Sequence, residues 1–261
     1  MGTKPRNIMK SLRVKDYLQV DGDFTYKYGI SNERLGLTEF FDRRPAISAD
    51  IDAAWTTEVA RAASLAFELL GTNAVTASTA YSSTMAGIVL TTAGADNDQC
   101  IILPHLDAGQ TAWTGWKWGT ENETVWEAAI TTGDDITTGV LLWAGLKLTN
   151  TPVIATDANQ VFFRFSTDDS DTEWVCESSI ANVDTATDSG VTVAINTTYK
   201  FRIEIDSSRK AHFFINDKEV ASTAALTNDV NFIPYIGIQA LSAAAEFVTV
   251  HYEKISRNIF E

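Results

Sequence analysis

Three tryptophans that stand close together in the sequence are the residues best suited to hold a ligand. Trp116 and Trp118 are two positions apart, so they lie on one face of a strand, and Trp113 precedes them. Indole rings stack well on sugar rings. The spacing therefore predicts a glycan-binding surface, although tryptophan is also common in the core of a β-sandwich, and both interpretations stay open.

The remaining reactive side chains do not form a metal or catalytic motif. His105, His212 and His251 lie far apart, and none has a cysteine or an acid at the spacing of a metal site. The acidic runs 168–171 and 184–188 lack the fixed spacing of a calcium loop, so we interpret them as solvated turns. There is no phosphate loop, dinucleotide fingerprint or nucleophile elbow. The sequence predicts no metal and no cofactor.

Composition limits the classes of protein that fit. The chain has 261 residues, 45% of them hydrophobic, and a formal net charge of −14. That length fits one large all-β domain with an appendage, or two small domains. Residues 51–261 hold 11 Lys and Arg against 27 Asp and Glu, a balance of −16, which disfavours nucleic acid and anionic membranes. No apolar run approaches the ~20 residues of a membrane span. Cys100 and Cys176 are predicted to be buried free thiols.

The stretch from 198 to 222 gives the clearest structural signal. Apolar and polar residues alternate over 201–206 and again over 212–215, which predicts two antiparallel strands with one buried face. Asn216 and Asp217 then supply a second turn. Many similar short strands follow one another from residue 65 onward, so the predicted fold is an all-β antiparallel sandwich.

The start of the chain has a different character. Residues 1–47 are predicted to form an extended arm or a small hairpin around the turn Asp21-Gly22-Asp23, followed by a charged linker with Pro45. Residues 48–64 have the composition of one short helix. We therefore divide the chain into an N-terminal arm, 1–47, and a sandwich domain, 48–261.

Two segments, YKFRIEIDSSRKAHFFINDKEVAS and FIPYIGIQALSAAAEFVTVHYEKI, resemble the concanavalin-A-like lectin and glucanase jelly roll, which includes laminin-G-like modules. This resemblance covers about residues 65–257 and implies the sandwich fold. It implies little about function, because the scaffold hosts unrelated activities. Glycosidases of this fold use the pattern Glu-x-Asp-x-x-Glu. The nearest match begins at Glu204 and Asp206 but has Arg209 in place of the second glutamate, so the sequence predicts that the protein is not an enzyme.

A second resemblance suggests a biological setting. The segments GIVLTTAGADNDQCIILPHL, TVWEAAIT, WAGLKLT and VFFRF are similar to proteins that tailed bacteriophages carry in their virions. The resemblance implies a capsid decoration or cement protein on the virion surface, made in the host cytoplasm. It would bind the major capsid protein across capsomers, as a homotrimer and without nucleic acid or membrane.

The predicted contacts with capsid or subunits are basic and aromatic residues of the arm: Arg6, Arg13, Tyr17, Phe24, Tyr26 and Tyr28. The alternative is a carbohydrate-binding module of a phage fibre or a surface adhesin, in which Trp113, Trp116 and Trp118 would hold the glycan.

Overall fold

The computed structural model describes residues 27–31, 34–45, 47, 67–104, 118–149 and 157–258. These residues form β-strands and a single 3₁₀ turn, Thr76–Ser78. The strands are β1 (Lys27–Ser31), β2 (Arg34–Glu39), β3 (Phe67–Leu70), β4 (Thr79–Ser82), β5 (Gly87–Thr91), β6 (Gln99–Pro104), β7 (Trp118–Gly119), β8 (Val125–Thr132), β9 (Val140–Lys147), β10 (Asn159–Ser166), β11 (Glu173–Ile180), β12 (Val183–Thr192), β13 (Thr198–Ile205), β14 (Lys210–Ile215), β15 (Lys218–Ala225), β16 (Asn231–Ala240) and β17 (Phe247–Asn258).

Two antiparallel sheets make up the sandwich. The nine-stranded sheet has the order β1-β2-β17-β8-β13-β14-β15, and β5 pairs with the first half of β17 and with β4. The eight-stranded sheet has the order β12-β11-β10-β9-β16-β6-β3, and β7 pairs with β16. The predicted all-β sandwich is therefore confirmed.

The main core lies between the sheets and is rich in aromatic rings. Phe163 of the eight-stranded sheet meets Phe201 and Phe213 of the other at centroid distances of 4.7 and 5.1 Å. Trp174 lies 4.7 Å from Phe201. Each such side chain stabilises the fold by roughly 2–3 kcal/mol through burial, so this cluster fixes how the two sheets face each other.

The predicted hairpin of residues 198–222 is confirmed as β13, β14 and the start of β15. Phe201 pairs with Ile215 and Ile205 with Ala211, which keeps the apolar rows together on the core side. Asn216 and Asp217 have φ angles of 51° and 66°, the left-handed conformation that their residue types tolerate in turns.

Two segments differ from the predicted loops. Residues 184–188, interpreted as a solvated turn, belong to β12, an edge strand whose side chains are mostly exposed. Residues 34–39, placed in the charged linker, form β2, which pairs with β17. Leu37, Phe41 and Ile47 then enter the main core. The predicted helix, 48–64, lies outside the described residues, and the division of the chain at residue 47 stays a prediction.

Cys100 and Cys176 are buried and free, as predicted. Burial raises the pKa of each thiol to about 12. Neither thiol therefore supplies a reactive thiolate near neutral pH.

Candidate functional site at the bulge of the last strand

A β-bulge in β17 changes which side chains face outward. Val250 and Glu253 both point into the sandwich, and two residues, His251 and Tyr252, stand between them. The pairing of β17 with β8 shifts its register between Val250 and Tyr252. A bulge of this kind often redirects side chains next to functional sites. Here it places His251 and Tyr252 side by side on the outer face of the nine-stranded sheet.

Tyr252 forms an aromatic surface with Phe40, which follows β2. The two ring centroids are 6.3 Å apart, and the rings are tilted by 49°. The Phe40 side chain is 60% exposed, while Tyr252 is half-buried. Tyr252 pairs with Ala129 of β8. Because the alanine side chain is small, it does not cover the Tyr252 ring from that side. We call Phe40 and Tyr252 the aromatic platform.

Charged side chains of both signs lie across the same face. Lys254 reaches the carboxylate of Glu127 at 3.5 Å, and Arg202 reaches Glu204 at 2.7 Å. Lys200 pairs with Asp217 at 3.1 Å. Burial, with smaller contributions from the negative charges of Glu127 and Asp217, raises the pKa of Tyr252 to about 12, and Arg202 opposes this increase. The charges of these three cations and three carboxylates cancel, so the ion pairs around the platform carry no net charge.

His251 is held by a short chain of hydrogen bonds. Its Nδ1 lies 3.1 Å from the carbonyl oxygen of Ala86, which can only accept a hydrogen bond, so Nδ1 carries the proton. In the neutral ring Nε2 is then an acceptor for the Thr131 hydroxyl at 2.6 Å. The Thr198 hydroxyl lies 2.7 Å from the Thr131 oxygen and donates to it. This chain fixes the ring and connects it to an exposed hydroxyl on β13.

The bulge also turns Glu253 into the core, where it faces Glu39. These two residues are direct partners in the pairing of β17 with β2 and are 1% and 2% exposed. Glu253 Oε1 accepts a hydrogen bond from Trp126 Nε1 at 2.9 Å, and Glu39 Oε1 accepts one from the Phe41 amide at 3.1 Å. The Oε2 atom of each glutamate has no hydrogen-bond partner. Burial raises the pKa of Glu39 to about 7 and that of Glu253 to about 8.

The outer face of the eight-stranded sheet has an apolar part that is closed to ligands in this structure. Trp143 and Tyr235 stack there at 6.2 Å, and Lys147 lies 4.7 Å from the Tyr235 ring centre. All three side chains are at most 1% exposed. Burial lowers the pKa of Lys147 to about 8, an effect that the carboxylate of Asp157 opposes.

A charged cluster lies beside this apolar part. Arg164 reaches Asp169 and Glu177 at 3.2 Å and Asp171 at 3.5 Å. Burial raises the pKa of both Glu177 and Asp171. One guanidinium therefore offsets part of the negative charge of three carboxylates, while Arg164 Nε and Glu177 Oε2 are buried without a hydrogen-bond partner.

The structure describes only part of the sequence-predicted sites. Trp118 is 2% exposed and packs in the main core, where its ring does not face solvent. Trp113 and Trp116 lie outside the described residues, so a glycan site at these tryptophans stays a prediction.

The residues nominated for capsid contacts also stay predictions. For Tyr28 the structure gives the pairing of its backbone with Leu37 in β1 and β2. The other nominated residues lie outside the described part of the chain: Arg6, Arg13, Tyr17, Phe24 and Tyr26.

In the described part of the chain, no group of three or more His, Cys, Asp or Glu side chains is arranged to hold a metal ion. A search of the same residues finds no helix that is long and apolar enough to cross a membrane.

Sequence reasoning did not identify Phe40, His251 or Tyr252. One signal was present in VTVHYEKI: Val248 and Val250 are in phase with each other, whereas Ile255 has the opposite phase. Such a phase change within a strand indicates an extra residue.

Comparison with known proteins supports the fold alone. No family model matches the chain, and no curated protein matches it. A protein of unknown function from Shewanella oneidensis MR-1 is similar in structure, with a TM-score of 0.56, 12% identity and 88% of each chain covered. An endo-acting O-glycanase of the human gut microbiota gives a TM-score of 0.57 at 7% identity, covering 84% of this chain and 98% of the other. The Bacillus licheniformis β-glucanase gives 0.51 at 8% identity, covering 73% and 91%.

These neighbours confirm the concanavalin-A-like jelly roll. They also correct the prediction that the protein is not an enzyme. Structures of the same fold include alginate lyases, a β-glucanase and an O-glycanase. Alginate lyases and glucanases perform different chemistry on one scaffold. The arginine at position 209 therefore does not exclude catalysis, and the prediction that the protein is not an enzyme is wrong.

Proposed function

We propose that the protein binds carbohydrate at the aromatic platform formed by Phe40 and Tyr252. The observation that carries this proposal is the bulge of β17, which turns Tyr252 out of the sandwich and beside an exposed phenylalanine. Exposed aromatic rings stack on the apolar faces of sugars. The same proposal is supported by the β-glucanase and the endo-acting O-glycanase, which are glycan-active proteins of the same fold.

The surroundings of the platform favour a neutral glycan. Glu127 and Lys254 on one side, and Lys200 and Asp217 on the other, provide donors and acceptors for sugar hydroxyls without a net charge. The formal net charge of −14 on the whole chain opposes the approach of a polyanion. Neutral polysaccharides should therefore bind more tightly than polyuronates, and the preference should decrease as salt is added.

The experiment measures binding of full-length protein to a panel of neutral and acidic polysaccharides by calorimetry, together with the release of reducing ends to detect turnover. Tyr252→Ala and Phe40→Ala should each weaken binding about tenfold, because stacking of one ring contributes about 1–1.5 kcal/mol. Val183→Ala is the matched control, since Val183 is 66% exposed on β12 of the other sheet. Unchanged binding by both platform variants would overturn the proposal, and loss in Trp116→Ala alone would place the site at the tryptophans.

We also propose a second function, capsid decoration, which rests on one feature of the sequence. Residues 1–15 carry five Lys and Arg and no acid, in contrast to the acidic remainder of the chain. A basic arm of this kind suits an acidic protein surface. Full-length protein should bind purified capsids and form trimers by light scattering, whereas a variant lacking residues 1–26 should lose capsid binding. Retention of binding by that variant would contradict the arm model.

A further inference from the structure

The buried pair Glu39–Glu253 lies directly behind the aromatic platform. Phe40 directly follows Glu39, the last residue of β2, and Tyr252 precedes Glu253 on β17. Adjacent residues of an extended chain point to opposite faces, so neighbouring positions on the same two segments carry the platform outside and the two carboxyl groups inside. A force that separates Glu39 from Glu253 therefore also separates Phe40 from Tyr252.

The two carboxyl groups cannot both be charged at low cost. Directly opposed side chains on antiparallel strands have Cβ atoms roughly 4.5–5.5 Å apart, and like charges at that distance are destabilising. Both groups are almost fully buried, and each has an Oε2 atom without a hydrogen-bond partner. A carboxylic acid can donate a hydrogen bond to a carboxylate. One proton held between these two oxygens would satisfy both at once.

We propose that Glu39 and Glu253 share a proton that holds β2 against β17, so that loss of this proton loosens the aromatic platform and weakens ligand binding. The part of this inference that concerns the ligand rests on the proposed function. The proton sharing itself depends only on the two glutamates and on Trp126, which donates to Glu253.

Few other charges act on the pair in the described part of the chain. Asp42 raises and Arg43 lowers the pKa of Glu39, both less than burial does, while Glu253 is affected by Glu39. Asp42 and Arg43 follow β2 and oppose each other in sign. Among the described residues, Arg43 is therefore the one cation that acts on the pair, and Asp42 opposes its effect.

The direction of the pH dependence follows from the raised pKa values. The folded state holds protons that the unfolded state, with glutamate pKa values near 4.3, has already lost. Stability is therefore greatest at low pH within this window and is lost as the pH rises from about 4.5 through the folded values of about 7 and about 8. Because the two groups interact, these values belong to the pair.

The test follows the indole N–H resonance of Trp126 by NMR between about pH 5 and pH 9 in full-length protein, with the resonance assigned by Trp126→Phe. We expect the signal to shift with a midpoint between about 7 and about 8. The β2 amides should exchange at least tenfold faster above this midpoint. Glu39→Gln should abolish the acceleration, because the glutamine amide donates permanently to Glu253.

Glu246→Gln is the matched control. Glu246 is also buried, and burial together with the negative charges of Asp135 and Asp134 raises its pKa to about 7, with no contribution from Glu39 or Glu253. This variant should leave the Trp126 shift unchanged. A Trp126 signal that does not move, or that moves equally in Glu39→Gln, would overturn proton sharing.

Ligand binding is then measured at both ends of the pH range. Affinity for the neutral polysaccharide should fall at least tenfold across the midpoint in the wild type and stay constant in Glu39→Gln. Constant wild-type affinity would overturn the coupling to the platform. A protein that binds no polysaccharide at any pH would refute the proposed function, whereas the Trp126 signal would still decide proton sharing.

Discussion

Gly87 lies so close to the bulge of β17 that a Cβ atom on it would come 2.7 Å from the carbonyl oxygen of Val250. The same atom would lie 2.8 Å from Cγ2 of Thr249 and 3.2 Å from Nδ1 of His251. A backbone oxygen within a sheet cannot move away without disturbing the pairing of β5 with β17. Only glycine therefore allows β5 to begin at this point, next to the residue that opens the bulge.

The substitution Gly87→Ala should lower the free energy of unfolding by about 1–3 kcal/mol, the usual cost of overpacking a tight contact. Urea unfolding of the two proteins measures this difference. Gly94→Ala provides the control, because a Cβ atom on Gly94 would have no heavy atom within 4 Å. The control should stay within about 0.5 kcal/mol of the wild type, and equal effects at both glycines would contradict the role given to Gly87.

Regular alternation made much of the nine-stranded sheet predictable. In β13 the residues Phe201, Ile203 and Ile205 are buried between more exposed neighbours, which is the pattern of a strand with one wet face. Residues 184–188 of β12 were not predicted as a strand, for the opposite reason. β12 is a polar edge strand with mostly exposed side chains, so no apolar row marks it in the sequence.

The candidate site was not predictable in the same way. Phe40 and Tyr252 meet only because β2 pairs with β17, and β2 has no strong alternation of its own. From the sequence alone, Glu39 and Glu253 are expected to be exposed to solvent, because acidic side chains are rarely buried without a partner. Their burial results from the register in which β2 pairs with β17. A single sequence does not reveal the register of such a long-range strand pair.

Replacement of Arg164 by methionine should destabilise the protein, because Arg164 is the cation that pairs with Asp169, Asp171 and Glu177. Removing one partner of a buried ion pair costs about 3–5 kcal/mol. Arg164 retains some exposure, so solvent screening reduces the expected loss to about 1–2 kcal/mol. Denaturant unfolding at neutral pH measures the loss.

The corresponding control is Lys200→Met. Lys200 and Asp217 form an exposed pair at 3.1 Å, with side chains that are 49% and 67% exposed. Such pairs contribute about 0–1 kcal/mol. A loss at Lys200 as large as that at Arg164 would show that burial does not distinguish the two ion pairs.

The ring of His212 lies between two carboxylates of unequal influence. Nδ1 lies 2.8 Å from Glu219 Oε1, and Nε2 lies 3.3 Å from Asp206 Oδ2. The hydrogen bond with Glu219 is the largest cause that raises the pKa of His212, burial opposes it, and the hydrogen bond with Asp206 adds a smaller raising effect. NMR titration should therefore show a larger decrease of this pKa in Glu219→Gln than in Asp206→Asn.

The same raised pKa sets a pH dependence of stability. Charged His212 is favoured in the folded state, so its contribution is complete below about pH 6.5 and is lost as the pH rises through the folded value. His212→Gln should remove this component from a series of thermal melts. Melting curves that keep the wild-type slope above about pH 6.5 would contradict this assignment.

Truncation from the N-terminus should separate the structural part of the predicted arm from the rest. Deletion of residues 1–26 leaves every described strand intact and should change the free energy of unfolding little. Deletion of residues 1–45 removes β2 together with Leu37 and Phe41, which are 1% and 0% exposed, and breaks the ring contact of Phe41 with Phe67 at 5.3 Å. Loss of one buried phenylalanine side chain alone costs about 3–5 kcal/mol. Urea unfolding should show at least that loss for the longer deletion, and near-equal stability of the two truncated proteins would show that β2 is dispensable to the sandwich.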